Sequence, residues 1–469
     1  DDMVYLDVTA RNDWSSTLPL NANNFFYPGV TLSWIFTNVL PENKALSFGK
    51  VRMAYGKTGN DADVYNTSAS YTQTSSRVYY DENYVFPNNG VNSFRRNNTI
   101  GSSDLRPEMT REFEIGLDLK FFNDRFGIDA SYYNRTTDDQ IFELPVDPAI
   151  GYFYEIINFG EVNNKGVELV LSTTPVRTNK IKWDLDFNFA VNRNKVVSLP
   201  ESLEGGRVTI YDFSAGNDAI YMYAEIGKPM GQYYTYLPAY VENGEINYKG
   251  RGQQLVDENG QPILSSDPMD TGKNMNNKWI GGVNTSVTAY GVTLSAQLDI
   301  RYGGHMFSRT RNLMQFTGNS DVTTYNDRRP FIIPNSVVAG EDANGNTIYE
   351  ANTTPIYMSN GSYQEYFNDY GGGLGGEFYL VDRSFVKLRN VSISYALPRK
   401  WLAPTQLSAV SISAFVNNVF TWTAKENRFL DPENTTISQS SYGDLATQFG
   451  ELYSNPSCRT YGFNVSVKF

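Results

Sequence analysis

The chain has 469 residues, enough for one large barrel or for two to three ordinary domains. Charged residues make up only 19% and the net charge is −12, which argues against nucleic-acid binding as the main role. The mean hydropathy is −0.43 and no run of about 18 apolar residues occurs, so a transmembrane helix is not predicted. Cys458 is the only cysteine, which excludes an internal disulfide and a multi-thiolate metal site.

Twelve stretches of the chain alternate apolar with polar side chains, the period-two pattern of β-strands with one apolar face. In the fourth stretch, for example, five apolar residues between Phe113 and Phe121 stand opposite Glu112, Glu114 and Asp118. In chain order, the apolar positions span residues 4–10, 30–36, 51–55, 113–121, 126–132, 167–171, 185–191, 283–289, 292–300, 391–397, 410–416 and 461–469.

The connectors between these strands alternate between short and long, so the long ones lie at one end of an up-and-down sheet. The long connectors are residues 11–26, 58–110, 137–164, 193–280, 303–383 and 421–457. Outer-membrane barrels have this asymmetry, with short periplasmic turns and long extracellular loops, whereas a soluble β-sandwich predicts no such parity. The sequence therefore predicts an all-β protein, a transmembrane antiparallel up-and-down β-barrel with long extracellular loops.

Two sets of residues are candidates for contact with a transported molecule. The first set consists of polar residues opposite the apolar stripes, which we expect to face the lumen, namely Glu112, Glu114, Asp118, Asp184, Asp186, Asn188, Gln297, Asp299 and Arg301. The second consists of aromatic residues of the long loops, which offer flat faces for sugar rings or peptides, namely Tyr221, Tyr223, Tyr233, Tyr234, Tyr325, Tyr363, Tyr366 and Tyr370. Solvation of the lumen and packing within the loops are the simpler explanations for many of them.

Signatures of enzymes and of metal or cofactor binding are weak, so we predict a protein that is not an enzyme and has no cofactor or metal site. His305 is the only histidine, and no nucleophile motif accompanies it, which favours a hydrogen-bonded rim residue over a catalytic base. The segment from Asp342 to Asn346 partly matches a calcium loop but lacks the glycine at the sixth position, so turn chemistry explains it better.

Several of these stretches together resemble the SusC/RagA-like TonB-dependent transporters of Bacteroidetes outer membranes. The matching segments span nearly the whole chain and include R-N-D-W-S-S (11–16), L-R-P-E-M-T-R-E-F-E-I-G-L-D (105–118), N-F-G-E-V-N-N-K-G-V-E-L (158–169), F-V-K-L-R-N-V-S-I-S-Y (385–395) and R-T-Y-G-F-N-V-S-V-K-F (459–469). Any one of them alone would not be specific.

The resemblance implies that residues 1–469 are the C-terminal part of one barrel domain, about twelve strands of a likely 22-stranded barrel. The plug domain, the TonB-contacting segment and the first strands of such a barrel are not found in this sequence. The resemblance further implies a SusD-like surface lipoprotein as partner, TonB as the energy source acting through the plug, and Phe469 as a barrel-assembly signal.

The function that the resemblance implies is import of glycans or oligopeptides across the outer membrane. A TonB-dependent siderophore or cobalamin receptor is an alternative from the same class, and it predicts expression that depends on iron. A barrel that serves as an adhesin or a structural protein, and transports nothing, is an alternative from another class.

Overall fold

The computed structural model describes most of the chain, namely residues 3–41, 43, 45–73, 77–79, 82–84, 87, 90–200, 206–213, 219–367, 374–427, 430–435, 449–451, 455 and 457–469. Among these residues, no helix is both long enough and apolar enough to cross a membrane.

Twelve long strands form one antiparallel sheet in which the order of the strands follows their order in the chain. They are β1 (Val4–Trp14), β2 (Asn24–Ile35), β3 (Leu46–Asn60), β4 (Glu108–Phe121), β5 (Phe126–Pro145), β6 (Tyr154–Arg177), β7 (Ile181–Ser198), β8 (Trp279–Ala289), β9 (Val292–Tyr302), β10 (Phe385–Ala396), β11 (Ala409–Thr423) and β12 (Thr460–Lys468). All twelve strands that the sequence predicts are confirmed. A short further strand, Thr99–Ile100, pairs in parallel with β6.

One face of this sheet is apolar and open to the surroundings. Leu6, Val8 and Phe463 are 64%, 72% and 80% exposed, although such side chains are normally buried in water-soluble proteins. Cross-strand pairs continue the stripe, since Leu6 faces Leu32 and Ile412 faces Val465. An apolar face of this extent is stable in contact with lipid.

The connections confirm that the long loops lie at one end of the sheet. Residues 61–107, 199–278, 303–384 and 424–459 each follow an odd-numbered strand, whereas the connections after even-numbered strands span only 2 to 12 residues. These short turns contain the 3-10 helix Phe36–Val39 and the helix Arg399–Leu402.

Two of the connectors expected to be long are much shorter in the structure. The strands β5 and β6 continue through most of the 137–164 stretch and leave only residues 146–153 between them, and β1 and β2 leave only residues 15–23. The extensions carry polar residues on both faces, with Thr136 and Asp138 on one face and Thr137 on the other, yet their backbones pair in register. Because lipid no longer demands an apolar face there, alternation disappears while strand pairing persists.

The described parts of the loops after β7, β9 and β11 fold together into three small sheets and two helices, which we call the loop assembly. One sheet contains Arg207–Phe213, Ile220–Glu225, Gln232–Thr235 and Met269–Asn274; another contains Glu245–Asn247, Tyr240–Glu242, Gln253–Val256, Ser336–Glu341 and Thr347–Ala351; the third contains Leu380–Asp382, His305–Ser308 and Gly450–Glu451. The helices are α1 (Arg309–Phe316) and α2 (Ser362–Phe367).

The remaining short elements lie in the connections after odd-numbered strands. They are the strand pairs Tyr71–Gln73 with Phe94–Arg96 and Arg77–Tyr79 with Glu82–Tyr84, and the 3-10 turns Pro148–Ile150, Asp321–Arg328, Met358–Asn360, Gly376–Tyr379 and Lys425–Asn427.

The largest apolar core lies in the loop assembly and at the adjoining ends of β5, β6 and β7. Phe307 and Phe449 from different loops pack with ring centroids 5.5 Å apart, and Phe142 and Phe159 of the two long strands stack at 4.9 Å in the same core. Tyr233 joins them and donates a hydrogen bond from its hydroxyl to the Phe449 carbonyl at 2.7 Å. The loops are therefore packed onto the end of the barrel wall rather than extended into solvent.

Candidate ligand-binding site

A cleft of about 840 Å³ opens between the first two sheets of the loop assembly. Its size lies within the range of about 300–1,000 Å³ usual for small-ligand sites. Four aromatic side chains line it together with polar and charged groups; the full lining is Leu237, Pro238, Tyr240, Tyr248, Lys249, Gly250, Gln254, Asp270, Thr271, Gly272, Lys273, Tyr366, Leu374, Glu377 and Phe378. We call this the loop cleft.

Regular pairing positions the walls of the loop cleft. Tyr240 lies on a central strand that pairs with Asn247 on one side and Gln254 on the other. On the opposite wall, strand Met269–Asn274 pairs with Gln232–Thr235. Gly376 lies so close to this sheet that a Cβ atom there would come within 2.3 Å of the Thr235 hydroxyl, which brings Glu377 and Phe378 into the wall. Gly371, Gly372 and Gly373, which precede Leu374, lie outside the described residues.

The carboxylate of Asp270 is held in its charged form by its neighbours. Burial acts most strongly and favours the neutral acid, but hydrogen bonds from Lys228, Gln232 and the Gly272 amide outweigh it, so the pKa of Asp270 falls below its ordinary value. The Lys228 ammonium lies 2.7 Å from the carboxylate. On the same side of the loop cleft, Lys273 and Glu377 form an ion pair at 3.1 Å. Two of the acidic groups of the lining are thus already paired within the protein.

Three of the predicted ligand-contacting tyrosines are buried and used for packing. Tyr233 lies in the core, and Tyr363 donates a hydrogen bond from its hydroxyl to the Thr323 carbonyl at 2.7 Å. Tyr234 donates to Glu225 and accepts from Lys228 at 2.9 Å. Their rings present no open face in this conformation, because neighbouring side chains cover them.

Four other predicted tyrosines are more accessible, and one of them lines the loop cleft. Tyr366 is in that lining, and burial raises its pKa to about 12, so its hydroxyl stays protonated as a hydrogen-bond donor. Tyr221 and Tyr223 stack on each other at 5.8 Å, and Tyr325 is 48% exposed beside Phe331. Tyr370 lies outside the described residues. Sequence reasoning missed Tyr240, Tyr248 and Phe378, which nothing but their loop position distinguishes from other aromatic residues.

The polar residues predicted to face the lumen lie opposite the apolar face, and several of them form ion pairs. Glu112 accepts from Arg135 at 2.5 Å, and Glu114 lies 3.5 Å from Arg52, which also reaches Asp129 at 2.7 Å. Asp118 lies 3.9 Å from Lys50. Asp184 lies 2.8 Å from Lys182, and Arg301 stacks over the Phe385 ring at 5.2 Å. The wall residues on β3 to β7 thus balance much of their charge within the wall.

A network of charged side chains ties the last long loop to the lumen face of β9 and β10. Lys387 is buried and lies 2.6 Å from Asp431 and 2.7 Å from Glu433. Arg389 bridges Glu433 at 2.6 Å and Asp299 at 2.5 Å. The Arg389 hydrogen bonds, with those of Lys387, lower the pKa of Glu433 to about 2, although burial opposes them. We call this network the wall latch.

The residues that the sequence offers as weak candidates for a catalytic or metal site have structural roles. His305 begins a strand paired with Asp382, and burial lowers its pKa, with Lys273 adding to that effect. Asp342 accepts the backbone N–H groups of Asn344 and Asn346, both at 2.8 Å, which is turn chemistry. Within the described ranges, no three histidine, cysteine, aspartate or glutamate residues are grouped to hold a metal ion.

Comparison with known families identifies the class of protein that this sheet and its loops define. The sequence model of the family "TonB dependent receptor-like, beta-barrel" matches residues 1–419. The chain therefore belongs to the TonB-dependent receptor β-barrel family, whose members are outer-membrane receptors and transporters, and its location is the outer membrane.

Individual relatives agree with this assignment. TonB-dependent receptor P3 of Formosa agariphila is 25% identical over 98% of this chain and 43% of its own length. TonB-dependent receptor SusC of Bacteroides thetaiotaomicron is 23% identical over 91% of this chain and 39% of its own. A solved structure titled as the RagAB peptide transporter shares the fold, with a TM-score of 0.66 and 22% identity over 91% of this chain and 43% of that one. The chain spans less than half the length of these relatives.

Proposed function

We propose that this chain forms the barrel part of a TonB-dependent importer of glycans or oligopeptides in a SusCD-like complex. The observation that carries the proposal is the loop assembly, in which three loops far apart in sequence share one core and two of them line the loop cleft. The loop assembly lies at the end of the wall opposite the short turns. A ligand that arrives from outside the cell would reach this end first. Family membership and the similarity to SusC support the same conclusion.

In this proposal the loop assembly collects the ligand and a SusD-like lipoprotein covers it from outside. TonB then acts through the plug of the complete protein, and the proton-motive force drives passage along the barrel lumen. The charged residues of the wall, such as Glu112, Glu114, Asp118, Asp299 and Arg301, keep the lumen hydrated and contact the plug. The chain itself performs no chemistry on the ligand.

The residues proposed to contact ligand are the accessible loop aromatics. Tyr366 lines the loop cleft, and Tyr221, Tyr223 and Tyr325 present partly open rings outside it. Aromatic faces bury apolar area while their polar edge stays wet, which suits both sugars and peptides. Phe469, 86% exposed just beyond β12, is proposed as the signal read during barrel assembly.

The proposed function is tested by uptake in cells of the source bacterium. Deletion of the gene should abolish growth on at least one glycan or oligopeptide mixture, and the complete gene on a plasmid should restore it only when TonB is present. Growth of the deletion strain on every mixture would support a barrel that transports nothing. Loss of growth only under iron limitation would support a siderophore receptor instead.

A further inference from the structure

We propose that the loop cleft is a binding site selective for a neutral, polyhydroxylated ligand, a short oligosaccharide without acidic groups. This inference rests on the proposed import function and narrows it to one ligand class. Three features of the described lining support the inference. They are the pairing of its charges, the hydrogen bonds already made by the backbone amides of its edge strand, and the placement of its aromatic rings.

The charges of the lining cancel and leave no buried charge for a ligand to neutralise. The lining contains Lys249 and Lys273 against Asp270 and Glu377, two positive and two negative groups. Asp270 and Glu377 are paired at 2.7 and 3.1 Å, and Lys249 is exposed and stays hydrated. Between the walls a charged ligand would lose water without a buried, unpaired counter-charge to compensate, which is costly. A neutral ligand avoids this cost.

The edge strand in the loop cleft is not open to pairing with a peptide. Met269–Asn274 is the outermost strand of its sheet, and exposed edges bind extended peptides through their free backbone groups. Here, however, the Gly272 amide donates to the Asp270 carboxylate at 2.8 Å, and the Lys273 amide donates to the Thr271 hydroxyl at 3.1 Å. Gly272 also has a φ of +69°, which breaks the extended conformation. Two amides of this edge are therefore already taken by side chains, and its extended backbone is interrupted at Gly272, which disfavours peptide recognition by strand addition.

The aromatic rings supply what a neutral sugar chain can use. Tyr240, Tyr248, Tyr366 and Phe378 are all half-buried, so part of each ring reaches the cavity. Gln254 and Thr271 add amide and hydroxyl groups to the same lining. Rings that cover apolar C–H faces, combined with neutral hydrogen-bonding groups that fix orientation, are the usual composition of a small-ligand site.

The test is calorimetric titration of the complete transporter, purified in detergent, with three probes. These are a neutral hexose oligosaccharide series, an oligosaccharide of uronic acids and a series of short peptides. The neutral series should bind, and the other two should bind at least tenfold more weakly. Tighter binding of peptides or uronic acids would overturn the inference.

Variants link this selectivity to the loop cleft. Tyr248→Ala should weaken binding of the neutral series about three- to tenfold, and Tyr248→Phe should restore it, because the ring and not the hydroxyl makes the contact. Tyr71→Ala is the matched control, since Tyr71 is an exposed loop aromatic outside the lining. Equal affinity in Tyr248→Ala and the unmodified protein would contradict the site.

Charge balance is tested by Glu377→Gln, which leaves Lys273 without its partner. This variant should gain measurable affinity for the uronic-acid probe, whereas a cleft whose binding does not depend on charge would show no gain.

The uptake and binding experiments together separate the proposed ligand class of the loop cleft from the proposed import function. Uptake of peptides without binding of any neutral oligosaccharide would overturn the inference and leave the import function intact, whereas uptake of neither class would remove the import function itself.

Discussion

The barrel wall and the loop assembly are stabilised in opposite ways. In the wall, apolar side chains such as Phe463 point outward and polar ones such as Arg52 point inward. The outward apolar side chains are therefore shielded from water by lipid. In the loop assembly, Phe307 and Phe449 are buried as in a water-soluble domain. The same chain is therefore stabilised by contact with lipid in the wall and by an internal apolar core in the loop assembly.

The comparison shows where binding specificity is built. The wall repeats one simple rule over twelve strands, which suits a conduit, and several of its charged residues pair with one another. The loop assembly brings residues more than 100 positions apart into contact, as Tyr233 and Phe449 illustrate. An arrangement of this kind can place a small number of aromatic and polar groups precisely around a ligand.

The largest expected effect is on the core of the loop assembly. Phe307→Ala removes a fully buried ring that packs on Phe213 and Phe449, and such truncations cost about 3–5 kcal/mol. Limited proteolysis of the purified protein should show the loops cleaved much faster. Phe463→Ala on the lipid face is the control and should leave loop cleavage unchanged; equal protection in both variants would show that the loops do not form a cooperative core.

The next largest effect is expected at the wall latch. Lys387→Met leaves Asp431 and Glu433 facing a neutral side chain, and removal of one partner from a buried ion pair costs about 3 kcal/mol. Hydrogen exchange of the backbone amides of residues 430–435 should accelerate by the factor that corresponds to this loss of free energy. The control is Lys50→Met, because Lys50 is partly exposed and lies 3.9 Å from Asp118, a geometry worth less than about 1 kcal/mol. Similar acceleration in both variants would contradict the latch.

A smaller effect is expected where two neighbouring positions of β5 face different surroundings. Ala130→Arg places a charge on the lipid face and should cost about 2 kcal/mol. Ser131→Arg places the same charge on the lumen face, beside the carboxylates of Glu112 and Glu168, and should be tolerated. Heat-modifiable migration in gels measures the folded fraction of both variants, and equal losses would show that the two faces are not distinguished by lipid.

A further effect is expected from acid. The pKa of Glu433 falls from an ordinary value near 4.5 to about 2, first because of the Arg389 hydrogen bonds. Because the folded state lowers this pKa, the stabilisation is present above pH 4.5 and is lost as the pH falls towards 2. Hydrogen exchange of residues 430–435 should therefore accelerate over that window, while the core around Phe307 keeps its protection. Acceleration on raising the pH would contradict the assignment.

The wall could be predicted from sequence because lipid imposes one rule at every strand. Between Phe113 and Phe121, for example, the alternation of apolar and polar residues is enough to predict which side chains face the lipid. The strand ends could not be predicted, because beyond the membrane Thr136 and Asp138 pair through backbone groups that any side chain permits.

The loop assembly could not be predicted, because its contacts join residues far apart in sequence. Tyr233 and Tyr366 are both tyrosines of the long loops, yet Tyr233 lies in the core and Tyr366 lines the loop cleft. Only the fold decides which aromatic residues are used for packing. The lining residues Tyr240, Tyr248 and Phe378 carry no local signal that could have singled them out.

The central claim, that the loop assembly and the short turns lie on opposite sides of the outer membrane, is tested most directly by cysteine labelling on intact cells. The background is Cys458→Ser in the complete protein, which removes the single cysteine of this region. Asn344→Cys in the loop assembly and Asn179→Cys in a short turn are both at exposed positions. A membrane-impermeant maleimide should label Asn344→Cys on intact cells and Asn179→Cys only after the outer membrane is permeabilised. The reverse order, or equal labelling of both, would contradict the account.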